Sequence, residues 1–329
     1  MSSSPETVPF AQSHLDAAAA LLAQRQERLR RLRPELPAEF ADPASCQPVL
    51  QKLLATDGVQ GTAGLVYGEL AAFLIGYPRL EPIWGRAAWS PVEGQAYDAA
   101  LGPDLMRDLY TAWSSHFVER GFFRQYVHAP ADDPALLDAW FTTGFGKMQA
   151  HAVRDLDLAP PVESRFAIRR VTPDDLDRIE PLMALISTAL VKPPAYAISL
   201  PERYDTYRDD YAAELVDPTA RLWLAEEDGR AVGLVGLYDA EPGPMVPDGA
   251  WELGDAKTAP EARRRGVIRA LLAAAFAEAR AAGADHVITD WRTAALPTHR
   301  SWTALGFRPT HFRLHRHIDE RIAWAGDRS

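Results

Sequence analysis

The stretch APEARRRGVIRALLAAAFAEARAAGADHVITD, residues 259–290, decides the reading of this chain. Arg263, Arg264, Arg265 and Arg269 crowd around Gly266, and an apolar run follows at once. Val267, Ile268, Leu271, Leu272, Ala275, Phe276 and Ala279 recur at helical spacing, which predicts a helix with one buried face. HVITDW (286–291) reads as the next strand, and AWELGDAKT (250–258) as the one before. A strand turning directly into a helix leaves the first four helix N–H groups unpaired. The helix dipole adds about half a positive charge there. Glycine lets a ligand approach the backbone, so the turn suits a pyrophosphate. Arginines usually oppose the dipole at a helix start, so their presence here points to a bound anion.

Outward from this stretch, the chain repeats itself. AWFTTGFGKMQAHAVRDLD (139–157) lies over SWTALGFRPTHFRLHRHID (301–319), matching Trp140 with Trp302, Gly144 with Gly306 and Phe145 with Phe307. AQSHLDAAAALL (11–22) lies over TPDDLDRIEPLM (172–183), and AAFLIG (71–76) over AVGLVG (231–236). The matches keep their order with an offset of 160 to 162, so the chain carries two copies of one domain. We place the copies at 1–157 and 166–329, joined by a Pro-containing linker at 158–165. In the second copy, 166–172 reads as a strand and 173–190 as a helix. LWLAEE (222–227) and AVGLVGLYD (231–239) form a hairpin turning at Asp228-Gly229. A helix over 297–305 and a strand near 311–318 finish the copy. Strands alternating with helices imply an α/β (α+β) domain.

Bulk composition narrows the function. The 329 residues are 47% hydrophobic and 24% charged, with a net charge of −10. Such acidity disfavours non-specific nucleic-acid binding, which needs a broad positive field. The single cysteine, Cys46, excludes an intrachain disulfide and fits a reducing, cytoplasmic setting. The N-terminus lacks a basic leader, and no apolar run reaches the roughly 18 residues of a membrane span. The expectation is a cytoplasmic protein, a monomer or homodimer, with no nucleic-acid, membrane or metal partner.

Strand, Pro-x-x-Arg-x-x-Gly, long helix, strand, then an aromatic residue ahead of Gly-Phe resembles the GNAT superfamily of acyl-CoA-dependent N-acyltransferases. PEARRRGVIRALL (260–272) is similar to the family's acyl-CoA loop, and WTALGF (302–307) to its Tyr-x-x-x-Gly-Phe ending. The resemblance is good over 166–319 and weak over 8–157, and duplicated domains occur in the family. It implies two tandem domains, each a mixed, mostly antiparallel sheet flanked by helices. It implies acetyl-CoA as acyl donor, held by Arg263, Arg264, Arg265, Gly266, Val267, Ile268 and Arg269. The thioester carbonyl would meet backbone at Ala256, Lys257 and Thr258. Three positions depart from the family. Ile268 replaces a small residue, Ala295 an asparagine, and Trp302 the tyrosine that often protonates the departing thiolate. An indole N–H is no useful acid, although a thiol with a pKa near 8.5 departs without much help.

In several members the base is a glutamate on the strand entering the loop, which makes Glu252 the leading candidate and Asp255 the alternative. Residues three apart on a regular strand face opposite sides, so one of the two is expected to see the site. Asp290 ends the next strand and is a further candidate near the acceptor. Tyr196, Tyr204 and Tyr207, with Tyr211, are candidates for an aromatic pocket around a small-molecule amine. All of these residues also admit plain structural roles. In the first copy Asp104 falls on Gly266 and Pro103 on Arg265, so that copy is expected not to bind CoA. The rival reading is a degenerate pair that binds an acyl-CoA or metabolite, or serves as an interaction module.

Overall fold

Two hairpin turns set the pattern of both halves. Tyr67-Gly68 and Asp228-Gly229 all have positive φ, from 50° to 83°. That is the two-residue turn whose twist matches the flanking strands. The first joins β2 (Gln60–Val66) to β3 (Glu69–Glu81), and the second joins β9 (Arg221–Glu227) to β10 (Arg230–Asp239). Their recurrence at the repeat's spacing gives the repeat a conformational basis. The computed structural model describes residues 6–156 and 164–325. Most of the linker expected at 158–165 lies outside the described residues.

The chain divides into two compact units. The first holds residues 1–150, 243–247 and 309–329; the second holds 151–242 and 248–308. In the first, β1 (Glu6–Pro9), β2, β3, β4 (Gly85–Ser90), β6 (Arg124–Pro130) and β13 (Arg308–His317) lie in that order, and β5 (Gln95–Tyr97) also pairs with β3. Only β4 with β6 is parallel. Helices α1 (Leu15–Arg30) and α2 (Pro43–Leu54) cover Phe73 and Ile75 on one face. On the other face, α3 (Asp104–Val118) and α4 (Pro134–Thr142) bury Trp113 and Trp140 against Leu74, Ala88, Val127 and Leu314. Leu314 marks a difference from expectation. The strand expected to close the second copy pairs along its length with β6, and its apolar residue completes the first unit's core.

Strand β7 (Gly146–Asp155) carries the chain into the second unit. There β8 (Ala167–Arg170), β9, β10, β11 (Trp251–Thr258) and β12 (His286–Arg292) are adjacent in sequence order, and only β11 with β12 is parallel. The expected helix over 173–190 is broken into α5 (Leu176–Met183) and α6 (Leu185–Leu190). Pro181 lies two residues before the first ends and cannot donate to the helix ladder. Helix α7 (Pro201–Glu214) follows, then α8 (Val267–Ala281) and α9 (Leu296–Ala304) after their strands. The apolar stripe of α8 is buried as expected except Ile268, which is half-buried. Gly233 sets how closely α8 sits: a Cβ there would come within 2.4 Å of Val267 Cγ1. Within each unit the strands are mixed and mostly antiparallel, with helices on their faces. No helix among the described residues is long and apolar enough to cross a membrane.

Candidate active site

The site grows from an irregularity in β11. Gly236 pairs with Asp255, and the next residue, Leu237, pairs with Leu253. Gly254 is thus an extra residue, a β-bulge. A regular strand would put Glu252 and Asp255 on opposite faces; the bulge resets the alternation. Glu252 lies opposite Tyr238, and Asp255 opposite Gly236, two residues earlier on β10. Both carboxylates therefore share a face, together with Lys257, which lies opposite Leu234. The expectation that only one would see this face is overturned by one inserted glycine. Tyr238 explains why it is glycine. Its ring lies over Gly236 and Gly254, where added Cβ atoms would fall 2.8 and 2.9 Å from it.

The strands also part here. β11 and β12 pair only at Trp251–Val287, Glu252–Ile288 and Leu253–Thr289. From Gly254 onward, β11 keeps its ladder with β10 but no longer pairs with β12 among the described residues. Backbone around Ala256 to Thr258 therefore fronts the gap. Asp290, two residues beyond Ile288, lies on the Glu252 face. Burial pushes the Glu252 carboxyl above its usual range, and the negative charges of Asp290 and Glu241 push the same way. Asp290 also lies 3.9 Å from His151 Nδ1.

Asp255 and Lys257 occupy a different environment. They are 7% and 5% exposed, and their charged atoms are 3.0 Å apart. Tyr211 of α7 donates its hydroxyl to Asp255 Oδ2, and Lys257 donates to Tyr211 and, at 2.9 Å, to the carbonyl of Met183. Burial raises the Asp255 carboxyl, while Lys257 and Tyr211 lower it. Tyr211 is driven well above the phenol range by burial and by Asp255. Next to this cluster, Tyr238 donates to Glu214 at 3.0 Å. The Lys257 side chain is thus committed to holding α5 and α7 onto the sheet.

At the far end of β11 the arginine turn is open. Arg263, Arg264, Arg265, Gly266 and Arg269 are exposed. Gly266 has φ +88°, and open space lies where its Cβ would be. Arg264 is also left-handed, at φ +62°, which costs a non-glycine residue about 1 kcal/mol or more. Helix α8 starts with no side-chain cap and no acid in its first turn. Arg265 bonds Glu227 and Arg263 reaches the carbonyl of Thr258, whereas Arg264 and Arg269 make no ion pair among the described residues. The residues present therefore fit a pyrophosphate: uncapped N–H groups, an open glycine and exposed cations.

The other expected residues are scattered. Trp302 is buried, with its ring 5.3 Å edge-on to Phe307. Ala295 is buried at the start of α9. Tyr196 is 71% exposed in a left-handed turn. Tyr204 and Tyr207 pack edge to face at 5.8 Å, and Tyr207 bonds Ser187. The α7 residues that meet the sheet here are Tyr211, at Asp255 of β11, and Glu214, at Tyr238 of β10. The sequence held a signal for them, since 204, 207, 211 and 214 continue one helical stripe. Tyr238 had none, because its position depends on the bulge.

A model of the Acetyltransferase (GNAT) family matches residues 188–307. The aminoalkylphosphonate N-acetyltransferase of Salmonella typhimurium is 30% identical over 113 residues, which is 34% of this chain and 71% of that protein. The chain belongs to the GNAT acetyltransferase family. Two solved structures share its fold over nearly the whole length. A GCN5-related N-acetyltransferase from Sphaerobacter thermophilus has a TM-score of 0.57 and 17% identity, covering 95% of both chains. A tandem GNAT protein from the clavulanic acid biosynthesis pathway has a TM-score of 0.53 and 16% identity, covering 96% of this chain and 98% of that one.

Proposed function

We propose that this GNAT protein transfers an acetyl group from acetyl-CoA to the amine of a small molecule, with residues 166–329 doing the chemistry and 1–157 not binding CoA. The observation that carries the reading is Glu252, half-buried at the parting of β11 and β12, on the strand that leads to an uncapped, arginine-ringed helix start. Acetyl-CoA supplies an activated thioester carbonyl. Arg263, Arg264, Arg265 and Arg269 would neutralise its phosphates, with the N–H groups after Gly266 donating to them. Backbone N–H groups of β11 beyond the bulge would donate to the carbonyl oxygen as charge develops there. Glu252 takes the proton from the attacking amine, directly or through water. Its raised pKa brings it closer to the amine's, which favours that transfer.

The relative named above acts on aminoalkylphosphonates. Here Glu252, Asp290 and Glu241 give the face a negative field, which favours a cationic acceptor over one bearing a phosphonate. The test is CoA release with a panel of primary amines, for the wild type and Glu252→Gln. Turnover by the wild type that falls about a hundredfold or more in the variant supports the reading. Release with no amine, although acetyl-CoA binds, overturns it in favour of a non-catalytic acyl-CoA-binding protein.

A further inference from the structure

One side chain of α9 is exposed where its neighbours on the same stripe are buried. Ala295, just before the helix, and His299 and Trp302 within it are spaced by four and three residues, so they share a face. Ala295 and Trp302 are 8% and 7% exposed, whereas His299 between them is open. A stripe that packs at both ends and stays open in its middle fronts a break in what it packs on. The second unit has such a break, since β11 and β12 stop pairing after Leu253–Thr289. Trp291 lies two residues beyond Thr289, and it is the group that holds His299.

The Trp291 indole donates Nε1–H to His299 Nδ1 at 3.2 Å. An indole nitrogen only donates, so Nδ1 accepts and the imidazole carries its proton on Nε2. Trp291 is 3% exposed, so a buried group fixes the orientation of an exposed ring. No described residue bonds Nε2, which leaves its N–H available.

The two faces of the sheet give this N–H a task. Thr289 lies opposite Leu253, and Leu253 opposite Leu237. Trp291 shares their face, and so does Gly233, against which Val267 of α8 packs. Glu252 and Asp290 take the other face. Acetyl-CoA held at the start of α8 would therefore enter the gap from the α8 and α9 side, while the amine meets Glu252 on the opposite side. The C–S bond breaks on the side away from the base, and its electron pair leaves with sulfur. Trp302, at the family's acid position, is buried against Phe307. Resting on the acetyl transfer proposed above, we propose that His299 donates its Nε2–H to the departing sulfur and that Trp291 is the positioning residue that keeps the proton on Nε2. The role is that of a donor and not of an acid, because a ring whose Nδ1 accepts an indole N–H has no second proton to give. The amine's proton goes to Glu252 and on to water, and the thiolate, stabilised by the hydrogen bond, takes its proton from water.

The test uses the full chain as wild type, His299→Leu, His299→Gln and Trp291→Phe. In ¹⁵N-labelled wild type, His299 should show a bare Nδ1 and a protonated Nε2. Adding CoA should move the Nε2 resonance, and desulfo-CoA, which lacks the thiol, should not. Single-turnover transfer to the amine that the wild type acetylates should fall roughly tenfold to a hundredfold in His299→Leu, with acetyl-CoA affinity unchanged by calorimetry. It should fall less in His299→Gln, whose amide still donates. Trp291→Phe should spread the proton over both ring nitrogens and slow transfer by an intermediate factor. An Nε2 resonance that ignores CoA, or a wild-type single-turnover rate in His299→Leu, overturns the proposal while leaving the acetyltransferase reading intact. A wild type that binds no acetyl-CoA, or acetylates no amine, overturns both. Should Trp291→Phe not fold, the exposed His299 decides through its own variants.

Discussion

The two units place opposite chemistry at matching points of one fold. In the second, Glu252 lies opposite Tyr238 and beside Ile288. In the first, Trp89 lies opposite Tyr77 and beside Tyr126. An indole under the Arg79 and Arg313 guanidiniums stands where the other unit has a carboxylate. The helix starts differ in the same sense. Helix α8 opens with arginines around a left-handed glycine, whereas α3 opens with Pro103 and Asp104, the latter paired with Arg107. The interruption of the strand differs too. A one-residue bulge at Gly254 sits beside the Lys257–Asp255–Tyr211 cluster, and a four-residue break between β4 and β5 is held by Arg25, which donates to the carbonyls of Val92 and Gln95. A shared backbone is thus compatible with two electrostatic programmes, because each is written in a few side chains at sheet irregularities.

The sharpest way to break this contrast is to take the carboxylate away. Glu252→Gln should lower kcat by about 10² to 10⁴ and leave acetyl-CoA affinity unchanged, measured by CoA release and calorimetry. If kcat holds, the two units do not differ in a base. Lys257→Met leaves Asp255 buried without its cation and should cost about 3–5 kcal/mol of stability by denaturant unfolding. Asp255→Leu together with Lys257→Met should recover most of that loss, since a buried pair replaced by apolar groups is near neutral. A double variant no better than the single one would deny that the cluster is a neutralised pair.

Gly266→Asp copies the first unit's acid into the second. It should weaken acetyl-CoA binding roughly tenfold to a hundredfold, with one equivalent bound by the wild type. Two equivalents in the wild type would mean that Pro103 and Asp104 do not silence the first copy. The smallest effect concerns pH. Asp290 repels negative charge on Glu252 and so helps hold its proton. Asp290→Asn removes that repulsion, lowers the Glu252 pKa, and keeps the base form to lower pH. The acid limb of kcat should move down by roughly half a unit. A limb that stays put would separate Asp290 from the base.

Much of the fold was legible because its signals are local. The αL turn at Asp228-Gly229, the stripe of α8 and the ordered repeat all rest on residues close in sequence. The arginine turn was legible as one exposed, uncapped helix start because it, too, is local. Gly266 and its arginines are contiguous, and the structure leaves them exposed together at one helix start. Elsewhere local reading failed. Counting along β11 put Glu252 and Asp255 on opposite faces, because a bulge leaves only a glycine as its trace. Tyr204 and Tyr207 pack on each other, while Tyr211 and Glu214 of the same stripe meet Asp255 of β11 and Tyr238 of β10, partners no spacing along α7 names.

Taken alone, the sequence determined the duplication, the mixed α/β character of each copy, the anion-suited turn and the acidic background that surrounds it. Those follow from periodicity, turn chemistry and charge, which a linear chain displays. Tertiary structure decided which carboxylates share a face, that Lys257 is buried against Asp255 and Tyr211, that β13 completes the first unit's core, and that Arg25 is buried against the carbonyls of Val92 and Gln95. Each of these depends on which distant residues a side chain meets and on how much water is excluded around it. Desolvation and pairing are properties of the packed chain, and no spacing along it encodes them.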